Sequence, residues 1–598
     1  MKQTIRRIAV LLFSLVLALP MVYGQVTTSS MSGKITDENG AIAGATVIAT
    51  YTPSGTQYYA ISDKSGNFTL LNVRAGGPYT VKVNMLGYRD YEVTGINVAL
   101  SDNYVLNVKM AEEAIGLDAI VVTADAISSN MRSDRAGAIT TADTRTMQTL
   151  PTVSRSLNDV LSLTPQAAVT SNGLAVGGGT YRGSYVTVDG AAFNNAFGIG
   201  SNLPAGGTPI SLDALDQLSI SITPYDVRQS GFTGGSIQAV TKSGSNKFHA
   251  SVYDYYTSQA LQGKKYGKSD GTVGELTLSQ MLKNTTGVTV GGPIIKDKLF
   301  FFFNFEYDMD VVPGQNRLAR TSDTQEWGGD TQYNRPTVDQ MNTMLEYLKT
   351  KYNYNPGRYQ NYSASTPDYK LLARIDWNIN NNNHFNIRYS QTKNKYSSAP
   401  SNSVNPIVPN PYTRNSYGRT SDCALYFESS RYFQEQNFYS IAAELNSRLM
   451  DGKLNNILRA TYSRQYEPRS FVGDLFPTVD ILENETVNGK ENREVLTTFG
   501  PDPFTYGNLR DVNTVVATDE LSGQFGIHNL IAGLSFEYDK AVNGFMQGGA
   551  GYYVYNSWND FVNDELPVAF AITHGNTDDL SQTYPTFKTT QYAAYLQD

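Results

Sequence analysis

Residues 369–390 read YKLLARIDWNINNNNHFNIRYS, and the pattern of this stretch indicates the fold class. In its first half apolar and mostly polar residues alternate, with Tyr369, Leu371, Ala373, Ile375, Trp377 and Ile379 set against Lys370, Leu372, Arg374, Asp376 and Asn378. The asparagine run 380–383 then forms a turn, and Phe385, Ile387 and Tyr389 resume the alternation. Successive side chains of a strand point to opposite faces, so the stretch predicts a hairpin with one apolar face and one polar face.

The same alternation recurs at residues 439–463, around the turn Asp451-Gly452, and at residues 530–538. Short turns separate some of these runs, whereas long segments at roughly 310–366, 393–435, 467–511 and 540–587 separate others. Outer-membrane barrels have short turns on the periplasmic side, long loops outside, and tilted strands of about ten residues in the membrane. Soluble sandwiches and propellers lack this asymmetry, so the pattern predicts an outer-membrane barrel.

The barrel strands counted from Phe248 number about ten by Leu596. A barrel that encloses a folded plug needs about 22 strands, so we expect further strands after Asp598. The predicted fold class is all-β dominated: a partial transmembrane antiparallel β-barrel of about ten strands at 246–598, preceded by an α+β plug and an N-terminal β-sandwich.

The first residues form a secretory signal, with basic Lys2, Arg6 and Arg7 before the apolar run 8–19. That run is shorter than the roughly 20 residues of a membrane-spanning helix. Small residues near Gly24 predict cleavage between Gly24 and Gln25, which places the signal peptide at residues 1–24.

Composition excludes several classes of function. The formal net charge is −8 and no basic cluster dominates, so nucleic acid is not an expected partner. The single cysteine, Cys423, cannot form an internal disulfide. None of the 4 histidines lies in a His-x-x-Glu or His-Glu-x-x-His motif. We therefore predict no enzyme activity, no metal site and no cofactor. The 40 tyrosines and mildly polar balance are typical of barrels and of large secreted β-proteins alike.

Residues 25–112 predict a small β-sandwich, because turn residues recur at roughly ten-residue intervals. The segments Asp63-Lys64-Ser65-Gly66-Asn67-Phe68 and Gly77-Pro78-Tyr79-Thr80-Val81 resemble the carboxypeptidase regulatory-like domain. This resemblance implies a structural domain and not a peptidase, which would need zinc ligands.

A plug is predicted at residues 128–245. A short helix ends before Pro165, and glycine-rich motifs follow that contain Arg182, Gly183, Asp189, Gly190, Gly234, Gly235, Thr241 and Lys242. The triplet Gly177 to Gly179 lacks the ending of a phosphate loop and is interpreted as a tight turn. In this order the segments resemble the plug of TonB-dependent transporters, and 240–249 and 287–294 resemble its Oar-like members.

A coupling segment is predicted at residues 113–127, where the family has its TonB box. Its core is a β-branched run that we expect to be a strand without a local partner: Leu117, Asp118, Ala119, Ile120, Val121, Val122, Thr123 and Ala124. Such a strand is suited to addition onto another protein's sheet. The alternative, a last strand of the sandwich, is equally compatible with the sequence.

The resemblance implies a receptor and transporter of the Gram-negative outer membrane. Its expected partners are TonB with the inner-membrane energising complex, outer-membrane lipid, and an extracellular ligand that the sequence does not identify. Four loop tyrosines, Tyr352, Tyr354, Tyr359 and Tyr362, are compatible with a ligand platform and also with an exposed loop that is rich in Tyr and Asn for solvation alone. The alternative function is a surface adhesion or secretion-associated barrel that imports nothing.

Overall fold

The computed structural model describes residues 26–112, 120–123, 139–150, 155–170, 172–195, 201–222, 226–229, 231–267, 269, 271–275, 278–403, 418–450, 453–487, 490–526, 528–577 and 579–598. The predicted signal peptide and its cleavage site at Gly24 and Gln25 lie outside these residues. Within the described ranges no helix is both long enough and apolar enough to cross a bilayer.

The N-terminal domain is a two-sheet sandwich. Its strands are β1 (Thr28–Thr36), β2 (Thr46–Tyr51), β3 (Thr56–Ile61), β4 (Asn67–Arg74), β5 (Gly76–Asn84), β6 (Tyr91–Val98), β7 (Asn103–Val105) and β8 (Val108–Lys109), followed by β9 (Ile120–Thr123). One sheet has the order β3-β2-β5-β6-β9, and the other pairs β1 with β4, β7 and β8. Alternate residues such as Val47, Val81 and Phe68 are fully buried between the sheets. The predicted sandwich is therefore observed.

The central domain, residues 139–241, combines strands and short helices. It contains β10 (Ile139–Asp143), α1 (Thr144–Thr149), α2 (Leu157–Leu161), β11 (Ala167–Thr170), β12 (Gly173–Val176), β13 (Ser184–Val188), β14 (Ala191–Ala192), β15 (Leu215–Ser221) and β16 (Gly235–Thr241). Five strands form a sheet of order β10-β15-β16-β13-β14. The predicted helix before Pro165 is α2, which begins at a capping box of Ser156 and Asp159. Gly177 and Gly178 have positive φ, as the predicted turn requires.

The remaining elements belong to a large sheet and its connections. In chain order they are β17 (His249–Ser258), β18 (Lys265–Gly267), β19 (Val273–Glu275), β20 (Leu282–Ile295), β21 (Leu299–Pro313), β22 (Leu318–Arg320), β23 (Tyr333–Thr337), α3 (Val338–Tyr352), β24 (Ser363–Asn380), β25 (Asn383–Ser398), β26 (Tyr432–Leu449), β27 (Leu454–Phe471), β28 (Thr478–Val487), β29 (Lys490–Phe499), β30 (Leu509–Phe525), β31 (His528–Gly544), β32 (Tyr552–Tyr555), α4 (Trp558–Val562), β33 (Ala569–Ala571) and β34 (Thr586–Gln597).

The barrel sheet is a ten-stranded antiparallel sheet of order β17-β20-β21-β24-β25-β26-β27-β30-β31-β34. Lys370, Arg374 and Arg388 are buried on its inner face, against the central domain. Apolar Trp377 and Ile387 are 41% and 40% exposed on the other face. The predicted alternation is confirmed. The expected strand length of about ten residues is too short, because β20 has 14 residues and β24 has 18.

The long connections of the barrel sheet fold together into a loop lobe, formed by residues 314–362, 418–431, 472–508 and 545–585. A four-stranded sheet of order β29-β28-β32-β33 joins two of these connections. Their shared apolar core contains Met344, Phe427, Ile481, Phe499 and Phe561. The connections are thus one folded body with its own core, whereas the sequence pattern indicated only long loops.

The sandwich lies against the short turns at the opposite end of the barrel sheet. Asn246 N–H donates to Pro53 O at 2.8 Å, and Asn378 Nδ2 donates to Ser54 O at 3.4 Å. The guanidinium of Arg448 stacks on Tyr59, 4.7 Å from the ring centroid. Hydrogen bonds and stacking, more than apolar packing, therefore hold this contact.

Candidate functional site

Asp189 and Thr241 are brought together by the central sheet. β13 and β16 run parallel with Val188 opposite Ala239, so the ends of both strands lie side by side. Asp189 and Gly190 both have positive φ and turn the chain into β14. The Thr241 N–H donates to Asp189 Oδ1 at 2.9 Å, and its hydroxyl donates to Oδ2 at 2.7 Å.

Two arginines of the barrel sheet meet this carboxylate. Arg374 Nη1 lies 3.4 Å from Asp189 Oδ1, and Arg388 Nε lies 2.9 Å from Oδ2 without hydrogen-bond geometry. The two arginines are direct cross-strand neighbours, an arrangement that is repulsive unless an anion lies between them. Burial alone would raise the pKa of Asp189, but Arg374, Arg388 and Thr241 outweigh it and lower that pKa below its usual range.

The sandwich enters the same network through Arg74. Its Nη1 lies 3.5 Å from Asp376 Oδ1, and its Nη2 donates to Ser243 Oγ at 2.7 Å. Asp376 in turn accepts from Arg374 Nη2 at 2.8 Å. We call this network the charged junction: Arg74, Asp376, Arg374, Asp189 and Arg388. It connects all three domains.

A cavity of about 90 Å³ adjoins the charged junction. Ligand pockets typically measure about 300–1,000 Å³, so this space suits a few waters and not an organic ligand. The junction is therefore a contact between domains and not a pocket. Among the described residues no group of three or more His, Cys, Asp or Glu side chains is arranged to hold a metal ion.

The other predicted plug residues lie at two further places. Gly183 O accepts from the Thr233 and Gly234 N–H groups at 2.8 and 2.9 Å, while Gly235 begins β16 and Arg182 is exposed on the ring of Tyr181. A Cβ at Gly234 would lie 2.8 Å from Val176 O, so the close backbone approach requires glycine. The Lys242 N–H donates to Ala214 O at 2.9 Å, and burial lowers its side-chain pKa.

The coupling strand, Ile120–Thr123, does have a partner. It runs parallel to β6, with Tyr91 opposite Ile120 and Thr94 opposite Thr123. The expectation of an unpartnered strand was wrong, and the alternative, a last strand of the sandwich, is what the structure shows, because β6 presents the free edge of the sandwich sheet directly beside it. The other predicted coupling residues, Leu117, Asp118, Ala119 and Ala124, lie outside the described residues.

The tyrosine platform that the sequence allowed is not formed. Tyr354, Tyr359 and Tyr362 are only 3%, 8% and 5% exposed, and Tyr352 is 38% exposed. Tyr354 stacks on Phe476 with ring centroids 4.2 Å apart, and Tyr359 packs in the core of the loop lobe. Because the loops fold on one another, the rings of Tyr354, Tyr359 and Tyr362 are buried inside the lobe, and of the four only Tyr352 is exposed.

The loop lobe has a different surface pocket, with a volume of about 400 Å³. Its wall combines the start of α3, the strands β28 and β29, and the start of α4, with Asp339, Thr343, Glu483 and Trp558 among the lining residues. The sequence carried no signal for it, since its residues come from three separate connections.

The sequence pattern did not reveal that Arg74, Arg374 and Arg388 belong to the charged junction. The alternation placed Arg374 and Arg388 on the polar face of the predicted hairpin. A signal was present, because two arginines at matching positions of one hairpin require a shared anion. The partner, Asp189, lies in another domain and could not be assigned from strand patterns.

Comparisons with known proteins agree with this architecture. A family model described as "Outer membrane beta barrel domain" matches residues 240–598, and one described as "Carboxypeptidase regulatory-like domain" matches residues 30–111. The TonB-dependent transporter Oar of Myxococcus xanthus is 26% identical over 412 residues, which cover 65% of this chain and 36% of Oar.

A similar fold occurs in the crystal structure of the outer membrane transporter YddB from Escherichia coli. The TM-score is 0.51 at 12% sequence identity, and the match covers 77% of this chain and 54% of that chain. The chain thus spans about a third of Oar and about half of YddB. The predicted resemblances of the sandwich and of the barrel are confirmed.

Proposed function

The chain belongs to the outer-membrane β-barrel family, and from this premise we propose that it acts as a TonB-dependent receptor and transporter. It binds an extracellular ligand and moves it across the outer membrane with energy from the inner-membrane proton gradient. The observation that carries the proposal is the position of the central domain, which the charged junction holds against the inner face of the barrel sheet.

The central domain acts as the plug. Its buried core includes Phe193 and Leu218 and is shared with Phe302, Leu372 and Phe438 of the barrel sheet. Ser211 also donates to Glu306 at 2.9 Å, and Thr392 donates to Pro209 O at 2.7 Å. A domain packed in this way must be rearranged before a solute can pass, which accounts for the need for an external energy source.

TonB and its energising complex are the partners on the periplasmic side. The short turns of outer-membrane barrels face the periplasm, and the sandwich with its coupling strand lies at that end. TonB binds the coupling segment, Leu117 to Ala124, by strand addition, in which main-chain hydrogen bonds supply the affinity.

The loop lobe then faces the outside and receives the ligand. We assign ligand contact to the pocket of about 400 Å³ beside Trp558, because its volume falls in the range of small-molecule sites. The exposed apolar side chains of the barrel strands contact outer-membrane lipid. No catalytic step is part of this function.

Uptake by energised cells tests the proposal. The protein is purified from cells grown in medium, and mass spectrometry identifies the ligand that it retains. That ligand is then labelled. Cells should accumulate that ligand, and an uncoupler of the proton gradient should stop accumulation while surface binding persists. Surface binding without any accumulation would contradict transport and would favour adhesion or secretion.

A further inference from the structure

The coupling strand is the edge strand of the sandwich sheet in this structure. Glu92 and Val93 of β6 lie opposite Val121 and Val122, in parallel register. The other side of β6 is occupied by β5, so β6 lies between a strand of the sandwich and the coupling strand. The segment that a periplasmic partner would bind is therefore already bound within the chain.

We propose that the sandwich domain stores the coupling strand on β6, and that TonB captures this strand only after it leaves that position. This inference rests on the proposed function. It assigns the sandwich a regulatory role: the exposed coupling strand is available only when the β6 edge releases it.

The pairing is short enough to be reversible. Only Ile120 to Thr123 pair with β6. Parallel pairing is somewhat less stable per residue than antiparallel pairing. Each main-chain hydrogen bond contributes only a modest net stabilisation, because the released strand regains bonds to water. Short edge strands belong to the least stable parts of a fold, so the strand can open without unfolding of the sandwich.

A force that TonB applies to the coupling strand reaches the central domain only after the strand has left β6. The coupling strand lies in the chain between β8, which ends at Lys109, and β10, which begins at Ile139 in the central domain. A force on a strand still paired with β6 acts first on the sandwich. Only a strand that has left β6 transmits the force along the chain to Ile139 and the central domain.

The central domain has a direct contact with the strand that stores the coupling segment. Gln217 of β15 donates from Nε2 to Val98 O at 3.3 Å, and Val98 is the last residue of β6. The same side chain accepts from the Leu100 N–H at 2.8 Å. Gln217 is buried, and β15 pairs with β10 at the start of the central domain. A shift of β15 therefore acts on β6 through these two bonds.

A disulfide across the stored pair tests the proposal. Opposite Cα atoms of neighbouring strands lie about 4.8 Å apart, within the range that a disulfide spans. The full-length protein with Glu92→Cys and Val121→Cys should therefore oxidise in detergent solution. The matched control, Glu92→Cys with Thr123→Cys, is out of register and should not. The native Cys423 is buried and stays reduced.

The amount of purified TonB periplasmic domain that each variant captures is then measured before and after reduction of its disulfide. The oxidised Glu92→Cys/Val121→Cys protein should capture at least about tenfold less TonB domain than the reduced protein, since the disulfide removes the state in which the strand has left β6. The control protein, Glu92→Cys with Thr123→Cys, should capture the same amount of TonB domain before and after reduction.

Each other outcome is decisive. Failure of the in-register pair to oxidise, or equal oxidation of both pairs, would overturn the stored position. Equal capture by the oxidised and reduced in-register protein would overturn the need for release. Absence of capture by the reduced and the wild-type protein would overturn the proposed TonB coupling itself.

Discussion

Arg388 Nε lies 2.9 Å from Asp189 Oδ2, which joins a strand of the barrel sheet to the end of a strand in the central domain. Both groups are buried, and Arg374 contributes a second cation at 3.4 Å. Removal of one partner from such a buried network leaves an uncompensated charge, whereas an exposed pair contributes little. Asp189 therefore fixes the position of the central domain, the proposed plug, against the barrel sheet.

Replacement of Asp189 by asparagine should destabilise the plug by about 3 kcal/mol, because Arg374 and Arg388 would face each other without their shared anion. Arg374 retains Asp376 at 2.8 Å, which limits the loss. Amide hydrogen exchange of Ser184–Val188 in the purified protein measures the effect. Exchange as slow as in the wild type would show that the junction does not hold the plug.

The pH dependence of plug stability should differ between buried Asp189 and partly buried Asp216. The lowered pKa of Asp189 means that its stabilising contribution is complete above the unfolded pKa and is lost as pH falls through the folded pKa. Burial raises the pKa of Asp216, so its contribution is complete below the unfolded pKa and is lost as pH rises through the folded pKa.

Asp216→Asn is therefore the matched comparison for Asp189→Asn. At pH 7 it should leave plug stability unchanged or increased. Hydrogen exchange measured in acid and at pH 7 on both variants checks the opposite signs. A loss of stability at pH 7 in Asp216→Asn as large as that in Asp189→Asn would refute the difference between them.

The loop lobe should depend on the buried pair Arg419–Asp480. Arg419 Nη2 lies 2.8 Å from Asp480 Oδ2, and both side chains are fully buried. Arg419→Gln should destabilise the lobe by about 3–5 kcal/mol, because it leaves Asp480 as an uncompensated buried charge. The exposed pair Arg358–Glu428 supplies the control, since Arg358→Ala should cost at most about 1 kcal/mol.

Protease cleavage of the loops on intact cells, in rising urea, measures lobe stability. Barrel insertion should be unaffected in every variant, because the membrane strands have their own pairing. If Arg419→Gln resists the protease as well as the wild type does, the buried pair does not stabilise the lobe.

Deletion of the sandwich, Ser32 to Met110, should leave barrel assembly intact. Its contacts with the barrel turns are individual hydrogen bonds and a stacked arginine, and it contributes no strand to the barrel sheet. Heat-modifiable gel migration of the outer-membrane fraction reports the folded barrel. Loss of that migration would show that the barrel needs the sandwich to assemble.

Local alternation predicted the barrel strands, since the period of two from Tyr369 to Ile379 separates the exposed apolar face from the buried polar face. The loop lobe could not be predicted in this way, because the burial of Tyr354 and Tyr359 depends on residues from distant connections. For the same reason the sequence could not decide between a free coupling strand and a last strand of the sandwich. A parallel pairing with β6 leaves no pattern in either strand.

Strand lengths were also underestimated, because the pattern was matched to the thickness of a membrane. Strands such as β24 continue beyond that thickness toward the loop lobe. The glycine positions were more informative. Gly234 and the turn at Gly177 are demanded by close backbone contacts that few other residues allow.

TonB coupling through this segment is tested by measuring how much purified TonB periplasmic domain the full-length protein carrying Val121→Pro captures. Proline removes an N–H group and fixes φ, so it weakens the pairing of this strand with β6 as well as its addition to TonB. Release from β6 does not restore the main-chain hydrogen bond that strand addition needs, so capture should fall about tenfold. Val121→Ala, which keeps the N–H, is the matched control and should capture like the wild type. Protease resistance of the sandwich should be equal in all three proteins. Capture by Val121→Pro equal to that of the wild type, with the sandwich intact, would contradict TonB coupling through this segment.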